Sequence, residues 1–188
     1  MKNIITSILC LLSVTASAQF KHPAHSVNYD SEGKIYWEQI YNVHNRGPED
    51  VVEYARSFVK KQPGATIVSE DKENHTITVQ FKWKFTDASE NHKLYGIVIT
   101  PNVVFAGKTN RTRVYVSNLT FEGGKICGKE GPLEKVYKCE DVSKHQKTEI
   151  SVFLNEKKVD KLMEDYKEYL VEAVRKGPKE KSAASNDW

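Results

Sequence analysis

The alternation of apolar and polar side chains is strictest from Ile77 to Phe85. There Ile77, Val79, Phe81, Trp83 and Phe85 take every second position, and Thr78, Gln80, Lys82 and Lys84 take the others. A period of two over that length predicts a strand with one buried and one wet face, as in an antiparallel sheet. A preceding strand is expected over 65–70, with a turn at Asp71-Lys72-Glu73-Asn74 between them. An earlier strand is predicted over 34–43, where Ile35, Trp37, Tyr41 and Val43 fall on one side and Gln39 interrupts that side. Two more follow. One runs over 94–105 with Pro101-Asn102 as a break or edge feature, and the other over 111–122 after a turn at 107–110. In the last strand Val114 and Val116 share a face with Leu119 and Phe121 only if the phase changes. That requires a bulge near Ser117-Asn118.

Two segments switch to helical spacing. Pro48-Glu49-Asp50 opens the first, with proline at the first helical position and acids where the macrodipole favours them. Val51, Val52, Ala55, Phe58 and Val59 then mark one face, and Pro63-Gly64 ends it. The second is expected to start near Asn155 as a cap. It carries the stripe Val159, Leu162, Met163, Tyr166, Leu170, Ala173 and Val174, and stops at Lys176-Gly177-Pro178. Residues 123–147 read as an irregular, glycine-containing excursion. The order β-α-β-β-β-β-α predicts an α+β fold, a curved antiparallel sheet with both helices on one face.

The first residues set a destination. Met1-Lys2-Asn3 precedes an apolar stretch from Ile4 to Val14, and Ala16-Ser17-Ala18 supplies the small residues a signal peptidase cuts after. The stretch is about half the ~20 residues that span a bilayer, so no transmembrane anchor is expected. Ser7-Ile8-Leu9 before Cys10 lacks the small residue that precedes a lipidated cysteine. The expected organisation is therefore a signal peptide over 1–18, cleaved after Ala18, a flexible lead-in over 19–32, one domain over 33–176 and a disordered tail over 177–188. The expected location is the periplasm or the cell exterior.

Charge and chemistry add exclusions. Cleavage leaves 170 residues, enough for one core, and removes only Lys2, so 27 basic face 25 acidic side chains. That balance gives no argument for nucleic acid. Cys127 and Cys139 are the cysteines of the mature chain, and an even pair outside the cytoplasm is expected to form a disulfide worth about 2–3 kcal/mol. The alternative, zinc held by these cysteines with His145 and His22 or His25, has no recognised ligand spacing. No nucleophile elbow or phosphate loop occurs, and Glu38, Glu70, Asp71, Glu122 and Glu140 are scattered near strand ends. No catalytic, cofactor-binding or metal residue is assigned. Lys82, Lys84, Arg111 and Arg113 are candidates for a ligand face on the open side of the sheet, set against the plainer reading of charged strands that resist aggregation. Asn74-His75-Thr76, Asn110-Arg111-Thr112 and Asn118-Leu119-Thr120 match the glycosylation sequon, which a bacterial-type leader makes coincidental.

Three stretches carry a family resemblance: Ala-Ser-Ala-Gln at 16–19, Gly33-Lys34-Ile35-Tyr36-Trp37-Glu38, and Arg111 to Leu119 (RTRVYVSNL), with the Pro48-started helix between the last two. Over about residues 33–122 the chain resembles a secreted Bacteroides-type domain-of-unknown-function family with a TATA-binding-protein-like fold. The resemblance implies a βαββββα half-saddle and supplies no catalytic residues. Fold does not fix function, so it carries no DNA binding. The segment 123–147 departs from the compact pattern of that family. The function expected is a non-enzymatic binding module with an unknown protein or glycan ligand in the envelope. A hydrolase with dispersed carboxylates and a cystatin-like protease inhibitor are the alternatives.

Overall fold

A computed structural model describes residues 14–16, 27–85, 94–124, 128 and 130–176. Among them the chain runs β1 (Val14–Ala16), β2 (Asn28–Tyr29), β3 (Ile35–Val43), α1 (Pro48–Val59), β4 (Thr66–Asp71), β5 (Thr76–Gln80), β6 (Trp83–Lys84), β7 (Val98–Lys108), β8 (Arg111–Glu122) and β9 (Glu130–Pro132). Helices α2 (Glu134–Lys138) and α3 (Lys144–Val152) follow. A π-helical segment (Phe153–Val159) then leads into α4 (Asp160–Lys176). The main sheet is ordered β1-β3-β8-β7-β5-β4, with β2 beside β3, β6 beside β7 and β9 beside β8, and all pairings are antiparallel.

One face of this sheet is the core. Ile35, Trp37, Tyr41 and Val43 of β3 and Val114, Val116, Leu119 and Phe121 of β8 are all buried. So is the α1 face of Val51, Val52, Ala55, Phe58 and Val59. The phase change in β8 has the expected cause. Thr120 pairs with Thr100 while Ser117 pairs with Asn102, so β8 holds one extra residue there, and Asn118 takes φ 50° to accommodate it. The bulge also removes β8 from the end of β3, where the Ile35 N–H instead donates to Glu134 Oε1 at 2.7 Å.

Pro101 sits inside β7, opposite this bulge, and interrupts the other neighbouring ladder as well. Phe81 N donates to the Pro101 carbonyl at 3.4 Å, but proline has no N–H to return. The single strand expected through Phe85 is therefore recorded as β5 and β6 in unbroken register, Gln80 opposite Asn102 and Trp83 opposite Ile99. Phe81, Trp83 and Phe85 are buried as their alternation requires. Phe85 packs on Phe153 of the π-helical segment, centroids 5.0 Å apart. Gly107 lets the sheet come close to α1: a Cβ there would collide with the Pro48 carbonyl oxygen and the Val52 side chain.

The C-terminal region differs most from expectation. The helical run starts at Lys144, not near Asn155, and continues through α4. Its true cap is Ser143, which accepts from Gln146 N at 3.2 Å while Gln146 Oε1 accepts from Ser143 N at 3.0 Å. Asn155 is buried in the π-helical segment, where its Oδ1 accepts from Trp37 Nε1 at 2.9 Å. The segment 123–147, expected to be irregular, holds β9 and α2. Tyr166 of α4 anchors an aromatic cluster, 4.9 Å from Phe105, 5.1 Å from Phe58 and 5.9 Å from Tyr41 between centroids. Burial raises the pKa of its hydroxyl, which lies 3.4 Å from Thr112 Oγ1.

Candidate functional site

The helices cover one side of the sheet, and among the described residues no helix packs on the other. That open face is built from the alternate residues of the same strands. Tyr36, Glu38, Ile40 and Asn42 come from β3, and Arg111, Arg113 and Tyr115 from β8. Thr100, Asn102, Val104 and Ala106 come from β7, and Thr78 and Gln80 from β5. Register brings the chemistry together at the β3–β8 pair, where Glu38 is opposite Tyr115 and Ile40 opposite Arg113.

The centre is preorganised. Arg113 Nε lies 2.6 Å from Glu38 Oε1, and its guanidinium sits 4.8 Å over the Tyr115 ring. The Tyr36 and Tyr115 centroids are 5.8 Å apart with planes inclined at 33°. Partial burial, followed by the field of Asp30, raises the Tyr115 pKa above the ordinary tyrosine value. The arrangement offers two adjoining aromatic rings, one of them capped by Arg113, an ion pair with lone pairs and N–H groups to spare, and a surround of amides and hydroxyls.

All four sequence-derived candidates lie on this face but not in one patch. Arg113 is opposite Ala106, and Arg111 opposite Lys108. Lys84 is opposite Val98, and Lys82 is its exposed neighbour across Trp83. Ten residues of β7 separate Lys84 from Arg111, about 33 Å at strand spacing, with Arg113 two residues in from Arg111. Cys127, His22 and His25 lie outside the described residues. Cys139 is partly buried against the core just after α2, and His145 is 3.6 Å from Glu149. Among the described residues no cluster of three or more His, Cys, Asp or Glu could hold a metal. No described helix is long and apolar enough to cross a membrane.

The carboxylates do not converge either. Glu70 is held by Arg56 at 3.1 and 3.0 Å, and that pairing keeps its pKa below the usual carboxylate value. Asp71 accepts from Asn74 in the β4–β5 turn. Glu122 is about 20 Å along β8 from Glu38 at strand spacing. A groove of about 930 Å³ runs beside α1, between the β4–β5 turn and α4. Several of its charges are paired, Arg56 with Glu53 and Glu70 and Lys176 with Glu172, and Lys61 stands over Tyr169.

Tyr36 and Tyr115 escaped sequence reasoning. Both occupy the wet phase of their strands, but which residue faces which depends on a register that no local pattern encodes.

The architecture places the chain in the class of α+β proteins with a TATA-binding-protein-like fold. Among solved structures it is similar to a DUF4468 family protein from Bacteroides ovatus, with TM-score 0.55 and 11% identity over 77% of this chain and 90% of that one. It is also similar to a TBP-like protein from Parabacteroides distasonis, with TM-score 0.57 and 14% identity over 80% and 99%. No protein-family model and no curated protein matches the sequence. At these identities the likeness establishes the fold, and the TATA-binding-protein-like expectation holds at that level.

Proposed function

We propose that the protein is an exported, non-enzymatic binding module whose ligand seats on the open face of the sheet. The observation that carries this reading is the Tyr36–Tyr115–Arg113–Glu38 constellation, positioned on rigid strands over a core that needs none of it. A hydrolase needs converging acids, whereas Glu38 and Glu122 stand about 20 Å apart along β8. A cystatin-like inhibitor needs protruding apolar hairpins, whereas the β4–β5 and β7–β8 turns carry Asp71, Lys72, Glu73, Lys108 and Asn110. Export is supported by the leader pattern ahead of Gln19, and cleavage there also removes β1 from beside Tyr41–Val43 of β3. In the compartment beyond, Cys127 and Cys139 are expected to pair and tie 123–139 to the end of the sheet.

A single preparation tests this. A photo-cross-linking residue is placed at Asn102 on the open face and, as a control, at Glu168 on α4, and the exported protein is recovered without reductant. Adducts are expected from position 102 and not from 168, on a chain whose mass begins at Gln19 and which takes up no thiol alkylation. Adducts from 168 alone would move the site to the helical layer. A mass retaining residues 1–18, or two alkylated cysteines, would remove the export reading.

A further inference from the structure

We infer that the ligand of the open face is a neutral glycan, an inference that rests on that face being the binding site. The charge pattern is the first reason. Among the described residues Arg111 and Lys108 stand at one end and Lys82 and Lys84 at the other, about 26–33 Å apart at strand spacing, so they form no continuous track for a polyanion. Between them Glu38 and Arg113 neutralise each other at 2.6 Å. The centre is therefore dipolar and carries no net charge, which complements a ligand with hydroxyls and without charge.

The donor set is the second reason. A carboxylate already bound to a guanidinium presents an acceptor and a donor a few ångströms apart. A vicinal diol matches that pair by donating one hydroxyl and accepting at the other. Asn102 and Thr78 extend the same acceptor and donor chemistry across β7 and β5. The third reason is the pair of rings. The C–H face of a sugar packs on an aromatic surface, and Tyr36 provides one beside Tyr115, whose ring Arg113 covers on one side. A protein partner would need large apolar anchors in desolvated pockets. Here the aliphatic contribution is Ile40 and Val104, spread between polar neighbours.

The full exported chain is applied to a glycan array that carries neutral and acidic oligosaccharides. Affinity for the best neutral hit is then measured in solution at low and high salt. Binding is expected to neutral glycans and to be unchanged by salt. Tyr115→Ala is expected to weaken it roughly tenfold or more, and Tyr115→Phe to leave it within about twofold, since the ring is what stacks. Circular dichroism melts of both variants show whether the fold is intact. Binding confined to acidic glycans and lost in high salt overturns the inference, as does an array without neutral hits or an unaffected Tyr115→Ala. Failure here is distinct from failure of the site itself. Cross-links from position 102 to a protein would keep the open face and remove the sugar.

Discussion

The two faces of this sheet are made from alternate residues of the same strands, and they solve opposite problems. On β7, Phe105 points into the helical layer and meets Phe58 and Tyr166, while its neighbour Val104 sits on the open side between Thr78 and Tyr115. The covered face is continuous hydrocarbon, with its few polar atoms matched inside: Trp37 to Asn155, Tyr41 to the Met163 carbonyl, Thr112 to Tyr166. The open face spends its side chains on mutual polar contacts that hold groups in place and bury little. Stability therefore belongs to one face, and recognition is free to occupy the other.

The largest test of that division is Phe105→Ala. The side chain is fully buried at the centre of the aromatic cluster, so loss of its transfer energy plus the cavity left behind should cost about 3–5 kcal/mol. Urea or thermal unfolding measures it. A cost near that of an exposed site would mean that the covered face is loosely packed and the contrast between the faces is false.

A smaller effect is expected where the two layers meet most closely. Gly107→Ala puts a methyl against the Pro48 carbonyl oxygen and the Val52 side chain. Helix α1 or β7 must shift to admit it, at a cost of about 1–3 kcal/mol. The neighbouring open-face Ala106 should tolerate Ala106→Ser with little change in unfolding free energy. Equal costs at 106 and 107 would show that the approach of α1 is not tight.

What the chain disclosed of this division was local. Periodicity of two from Ile77 to Phe85 and the apolar stripe of α1 are written in neighbouring residues, and the β8 bulge follows from the phase slip between Val116 and Leu119. Non-local facts were hidden. Asn155 looks like a helix cap because asparagine commonly is one, yet its partner Trp37 lies 118 residues away. The true start at Ser143-x-x-Gln146 had a legible signature, the capping box, followed by Ile150, Phe153 and Leu154 at helical spacing. The four basic residues could be assigned to the wet phase but not to their ends of the sheet, because strand order is set by tertiary pairing. For the same reason the Tyr36–Tyr115 pair had no signal in either strand alone.

The smallest expected effect is also the one that most sharpens the comparison. Glu38 and Arg113 form the best-defined polar contact of the open face, with side chains 37% and 48% exposed. An ion pair in that setting stays largely hydrated, is screened by salt, and typically contributes less than about 1 kcal/mol. Arg113 stacked over Tyr115 adds a cation–π contact of similar modest size at an exposed site. A double-mutant cycle with Glu38→Gln and Arg113→Gln should therefore give a coupling energy below about 1 kcal/mol that shrinks as salt is raised. Each single variant should unfold with an unchanged denaturant slope, since neither removes buried surface. A coupling above about 2 kcal/mol that resists salt would mean the pair is a structural element like those beneath the helices. The open face would then be a second stabilising surface, and its side chains would no longer be free to serve a ligand.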